Sequence, residues 1–227
     1  MEVQSSLDAT LRAAVFEGFL GHGSAPSVEE LMGRFRRPRE EIEASLDRLD
    51  TARHLKLVPG THRVLMAFPF SAVATPYRVS VGARTYYANC AWDAIAFHPM
   101  LRTDIQVTSF CHHCGDPISF AIDKNQVVNS KGESPVVYLG LPAADWWKDI
   151  VFTCSNTMLF FASAEHLRSW RRAHPEARGA ELSIDQMIRL SEPIYAGKLE
   201  LEYARPSRDR MVELFQELHL TGDFWKI

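Results

Sequence analysis

The chain contains no run of 18 apolar residues, so nothing in it reads as a membrane-spanning helix. It also lacks an excess of either charge: 25 Lys and Arg against 28 Asp and Glu leave −3 at pH 7 over 227 residues. A nucleic-acid-binding surface needs a basic face, and only Arg34, Arg36, Arg37 and Arg39 form a local basic patch. The opening stretch MEVQSSLDATLRAAVFEGF has no basic segment followed by an apolar one, so no signal peptide is expected and the chain reads as cytoplasmic. No internal repeat and no low-complexity tract is present. Cysteine is scarce, with four in all, and in a reducing compartment these read as thiols or metal ligands rather than disulfides. Yet Cys90, Cys111, Cys114 and Cys154 all fall within one third of the chain, and that clustering is the first positive signal.

Hydrophobic residues make up 46% of the sequence, enough for one sizeable core or two small ones. Residues 6–21 carry Leu7, Leu11, Ala14, Val15 and Phe19 near helical period. In APSVEELMGRF, Ser27 and Glu30 make a capping-box pattern ahead of Leu31 and Phe35. A third helix, RPREEIEASLDRLDTARHL, places Ile42, Leu46 and Leu49 on one face, and LKLVPGTHRVLMAF reads as two short strands around a Pro-Gly turn. Three helices and a hairpin predict a winged-helix-like domain over residues 1–70. The functional reading of that shape is DNA binding, but acidic Glu40, Glu41, Glu43, Asp47 and Asp50 on the third helix disfavour phosphate contact, and nucleic acid is not an expected partner.

Residues 71–227 change in texture. PYRVSVGARTYYA predicts two strands about Gly82, and a short helix follows from Asn89 to about Phe97, stopped by Pro99. IQVTSF, ISFAID, QVVNS, PVVYLGL and VFTCSNTMLFFAS are β-rich runs separated by turn residues, which predicts a mostly antiparallel sheet. Helices are expected from Ser163 to about His174, from SIDQMIRL and from SRDRMVELFQELHL. The expected fold class is α+β: a winged-helix-like N-terminal domain, then a mostly antiparallel sheet with packed helices.

In YYANCAWDAIAF, Cys90 and Asp93 stand three residues apart, on one face if the segment is helical. A helix N-terminus favours thiolate at Cys90, and a carboxylate at Asp93 can move a proton nearby. Packing alone also accounts for such a cysteine. CHHC at 111–114 has the look of a zinc knuckle but lacks a second Cys-x-x-Cys, so a buried Cys111 with Cys114 entering a turn is the simpler reading.

The stretch YANCAWDAIAFHPML resembles the signature of the organomercurial (alkylmercury) lyases, a Tyr-Ala-x-Cys-Ala-x-Asp core before an apolar helix. Cys111 followed by Gly115-Asp116-Pro117 is similar to that family's Cys-x-x-x-Gly-x-Pro element, and Cys154 ahead of Phe160-Phe161-Ala162-Ser163 is similar to its second active-site cysteine. The three motifs occur in order over most of the chain. The resemblance implies carbon–mercury protonolysis: Cys90 and Cys154 hold the mercury, a soft cation that prefers thiolate. Asp93 takes a thiol proton and delivers it to carbon. Cys90, Cys154 and Asp93 are thus the implied metal-contacting residues, no cofactor is required, and Hg(II) is the bound product. Cytosolic thiols or a mercuric reductase are the implied acceptors, and Cys111 is implied to be structural.

The sequence departs from the family pattern at four places. A gapless reading puts Ser155 where the second cysteine belongs, and a one-residue insertion in Ser155-Asn156-Thr157 restores Cys154. Asn89 replaces a usual tryptophan, and Cys114 is an extra thiol that could bind zinc or copper with Cys111 and His112 or His113. The segment beyond residue 195 is longer than the family needs. A soft-metal-binding protein or metal-responsive regulator is therefore the alternative function, and a thiol-dependent enzyme using Cys90 as nucleophile ranks third.

Overall fold

The computed structural model describes residues 6–128 and 134–227, so Asn129 and Ser130 of the expected QVVNS strand lie outside the described residues. Three helices come first: α1 (Ser6–His22), α2 (Val28–Phe35) and α3 (Arg39–Thr51). The capping box is formed, with Ser27 Oγ accepting from the Glu30 N–H and the Glu30 carboxylate accepting from the Ser27 N–H. Leu11, Val15 and Phe19 of α1 and Ile42, Leu46 and Leu49 of α3 are buried together. Buried Asp8 fixes the pair of helices, accepting from Ser45 Oγ at 2.5 Å and from Arg48 at 2.7 and 2.9 Å. β1 (Lys56–Leu57), β2 (Val64–Ala67) and β3 (Phe70–Ser71) then form a small antiparallel sheet in the order β1-β2-β3.

The remainder is built on two further antiparallel sheets. β4 (Arg78–Val81), β5 (Arg84–Tyr87), β6 (Ile105–Phe110), β7 (Pro117–Asp123) and β8 (Gln126–Val128) make the larger, in the order β5-β4-β6-β7-β8. β9 (Val136–Leu139), β10 (Met158–Phe161) and β11 (Ala180–Ser183) make the smaller, in the order β10-β9-β11. α4 (Ala91–Leu101) is buried from Ala91 to Met100 and packs against α7 (Ile184–Tyr195), to which Trp92 Nε1 donates through Ser191 Oγ at 2.9 Å. α6 (Ala164–Ala173) and α8 (Arg208–Glu217) start where expected, capped by Ser163 and Ser207.

Two expectations are corrected and one strand is added. α4 runs through Pro99 instead of stopping before it. A proline two residues from a helix end removes one backbone bond, and burial of the helix from Ala91 to Met100 offsets that loss. The expected strand over VFTCSNTMLFFAS begins only at Met158. Residues before it form a single turn, α5 (Ile150–Phe152), capped by Asp149, followed by a π-helical turn from Thr153 to Thr157. β11 was not expected, because AELS is a short stretch without β-branched residues, and its pairing with β9 is a long-range event.

Candidate functional site

The N-terminus of α4 faces the start of β10, and three side chains meet there. Cys90 Sγ, an Asp93 carboxylate oxygen and Cys154 Sγ all lie within 4.8 Å of one another, and all three residues are buried. Cys90 is the N-cap of α4, with Sγ accepting from the Asp93 N–H at 3.4 Å. That local bond holds the thiol and the carboxyl side by side. On its other side, Cys90 Sγ lies 3.7 Å from Met158 Sδ, and Tyr77 donates to the Met158 carbonyl at 3.3 Å.

Asp93 is held by two donors. Tyr195 OH, from the end of α7, donates to Oδ1 at 2.7 Å, and Asn89 Nδ2 donates to Oδ2 at 2.9 Å. The same Asn89 amide reaches the carbonyls of Pro69 and Phe70 at 3.1 Å, tying the site to β3. Burial lifts the Asp93 carboxyl to about 6, against the opposing pull of Tyr195, Asn89 and the Lys198 ammonium. A carboxyl poised there can both accept and return a proton near neutral pH.

The thiols differ from the expectation for Cys90. Its helix N-terminal position favours thiolate, but burial dominates and pushes the Cys90 thiol well up, with Cys154 and Asp93 adding to the shift. Contact with Cys90 pulls Cys154 down, yet burial and the Asp93 charge outweigh it and leave that thiol raised too. Desolvation disfavours the charged form, so both cysteines rest as thiols and must give up protons on meeting a soft cation.

Cys154 reaches the site because the chain turns through the π-helical segment. A π turn accommodates one residue more than an α turn, and it lies over the Ser155-Asn156-Thr157 stretch where an inserted residue is expected. Ser155 is exposed while Cys154 is buried against Cys90.

A cavity of about 390 Å³ opens onto these groups. Its walls include Trp92, Trp146, Trp147 and Ile150, and the segment after residue 195 supplies Lys198, Arg205, Met211, Phe215 and Ile227. The long C-terminal stretch is therefore part of the site wall. Lys198 is buried among rings, 4.7 Å above Tyr195 and 5.7 Å above Phe68. Burial, with Arg205 second, pushes its ammonium well below the ordinary lysine value. Arg12 of α1 donates to the Lys198 carbonyl at 2.6 Å, which anchors this segment to the N-terminal helices.

Sequence reasoning named Cys90, Asp93 and Cys154, and these come together. It missed Tyr195, Lys198 and Met158, none of which carries a local signal, and it registered Asn89 only as a departure. Cys111 and Cys114 stand apart from this site. Their third neighbour is His166 of α6, not His112 or His113. The His112 ring instead turns to the Phe160 carbonyl, 3.1 Å from Nδ1, and His113 is exposed.

The chain is similar to known proteins in both sequence and fold. A family profile described as alkylmercury lyase matches residues 70–196. An alkylmercury lyase of Staphylococcus epidermidis is 25% identical over 158 residues, covering 70% of either chain. One from Bacillus cereus is 25% identical over 171 residues, covering 75% of this chain and 74% of the relative. A crystal structure of the mercury-bound form of MerB2 superposes with a TM-score of 0.67 at 18% identity, over 86% of this chain and 92% of that one, which places the two in one fold.

Proposed function

Because that profile spans more than half of its length, the chain belongs to the alkylmercury lyase family, and we propose that it cleaves carbon–mercury bonds by protonolysis at Cys90, Asp93 and Cys154. The observation that carries the proposal is the buried cluster itself, two sulfurs and a carboxyl within 4.8 Å. An organomercurial enters as a thiolate adduct, R–Hg–SR′. One cysteine thiol displaces R′S, whose leaving sulfur takes the cysteine's proton. The second cysteine passes its proton to the Asp93 carboxylate and its sulfur bonds mercury. Mercury then carries R and two thiolates, which raises electron density at carbon. The Asp93 carboxyl protonates that carbon, the carbon–mercury bond breaks, and the hydrocarbon R–H departs. Asp93 is again a carboxylate, and Hg(II) stays on the two cysteines.

Asn89 and Tyr195 orient Asp93 in this scheme, and Lys198 favours its carboxylate form between turnovers. The reaction calls for no organic cofactor. Exogenous thiols or a mercuric reductase accept the Hg(II) by thiol exchange, which suits a reducing cytoplasm. We read the helical part up to about residue 70 as a winged-helix-like domain preceding a catalytic domain. α1 to α3 with the β1–β2 hairpin support that division, and the Arg12 link suggests that it buttresses the cavity wall. Among the described residues, no helix is long and apolar enough to cross a membrane.

Anaerobic incubation with phenylmercuric acetate and excess dithiothreitol tests the proposal by headspace detection of benzene. Release by the wild type that is lost in Cys90→Ser and Cys154→Ser supports it. No benzene from the wild type, or undiminished release from Cys90→Ser, overturns it.

A further inference from the structure

Cys111, Cys114 and His166 form a second cluster that the proposed reaction does not use. We propose that these three residues bind one zinc ion, linking the turn after β6 to the N-terminus of α6. Their ligand atoms all lie within 4.8 Å of one another, and His166 Nδ1 stands 3.3 Å from Cys111 Sγ and 3.4 Å from Cys114 Sγ. Zinc bound tetrahedrally at about 2.3 Å from sulfur and about 2.0 Å from nitrogen needs sulfur–nitrogen edges of roughly 3.5 Å. The side chains already stand near that spacing.

The local backbone is shaped for such a site. After β6 the chain doubles back, with the Gly115 N–H donating to the Cys111 carbonyl and the Cys111 N–H to the Asp116 carbonyl, both at 2.8 Å. Gly115 takes the left-handed conformation that closes the turn, at φ +79°. This folds the Cys-x-x-Cys segment so that both sulfurs point to one side. His166 enters from the first turn of α6, whose N-cap Ser163 accepts from the His166 N–H. Cys111 is buried, while Cys114 and His113 are exposed, so an ion has a route in from solvent. The fourth position falls to solvent or to His113, whose ring lies 5.5 Å from that of His166.

Two sulfurs with an imidazole nitrogen suit zinc, a borderline ion that takes both donor types. The site also has a mechanical consequence. Cys111 Sγ accepts from the Ala162 N–H at 3.3 Å, and the His112 N–H donates to the Phe160 carbonyl at 3.2 Å. A zinc there braces β10, the strand whose first residue, Met158, touches Cys90.

The test is independent of lyase activity. Full-length wild type and a Cys90→Ser/Cys154→Ser variant are purified without chelators and assayed for zinc by mass spectrometry. Both are expected to hold about one zinc per chain. Cys114→Ser, a change at an exposed position, is expected to lower zinc content about tenfold or more, with an unchanged circular dichroism spectrum. Cobalt(II) added to the zinc-free wild type is expected to give the intense visible bands of a tetrahedral thiolate site, and His166→Ala to lose them. Zinc content unchanged in Cys114→Ser, zinc lost only with Cys90 and Cys154, or no cobalt uptake by the wild type would each overturn the proposal.

Discussion

At the scale of single residues, the proposed reaction asks most of Asp93, because one carboxyl would take a proton from sulfur and give it to carbon. Its environment keeps both forms accessible: burial favours the acid, while Tyr195, Asn89 and Lys198 favour the carboxylate. Asp93→Asn keeps the shape but removes the proton carrier, so benzene release is expected to fall by about 10²–10⁴-fold while binding of phenylmercury persists. Loss of binding in that variant would assign Asp93 to holding mercury instead. In the proposed reaction the free enzyme uses the carboxylate to receive the thiol proton, so kcat/KM is expected to rise with pH through about 6. Tyr195→Phe deletes a donor that favours the charged form, and the acid limb is expected to move up by about one pH unit. A pH–rate profile with an unmoved limb would contradict that role.

At the scale of elements, the site depends on how two segments end. The α4 N-terminus sets Cys90 and Asp93 through one capping bond, and the π turn sets Cys154. The difference between neighbouring positions is testable: Ser155→Ala is expected to keep wild-type benzene release, whereas Cys154→Ser is expected to drop to background. The C-terminal helix contributes differently, by walling the cavity. Phe215 of α8 is buried with its ring 5.1 Å from Trp225 and 6.2 Å from Trp146. Phe215→Ala is expected to cost about 3–5 kcal/mol of stability by urea unfolding. What was legible in the sequence follows from locality. Ser27-Glu30 and Ser163 announce helix starts through bonds within one turn, and Cys90 with Asp93 lie within one turn as well. The helical path of residues 150–157 was hidden, since Val151, Phe152 and Thr153 favour strands and tertiary contacts decide the turn. Tyr195 meets Asp93 across 102 residues and His166 meets Cys111 across 55, so neither could be read from spacing.

At the scale of the whole molecule, two buried groups titrate in opposite senses. Asp93 holds its proton to about 6 in the fold, against an ordinary 3.8. Between those values the folded state binds more protons than the unfolded one, so its contribution to stability is lost as pH rises. His54, pushed down to about 4 by burial and by Arg12, stays neutral in the fold below its ordinary 6.5. There the unfolded state binds more protons, and stability is lost as pH falls. The two effects oppose each other from pH 4 to 6, so Asp93→Asn is expected to steepen acid destabilisation relative to the wild type. Chemical denaturation across that window checks it, and parallel curves would refute it. The central claim concerns chemistry at Cys90, Asp93 and Cys154, and intact-protein mass spectrometry after one equivalent of phenylmercury reads it most directly. Wild type is expected to carry mercury without phenyl and Asp93→Asn to carry the phenylmercury adduct. Phenylmercury persisting on the wild type would contradict the account.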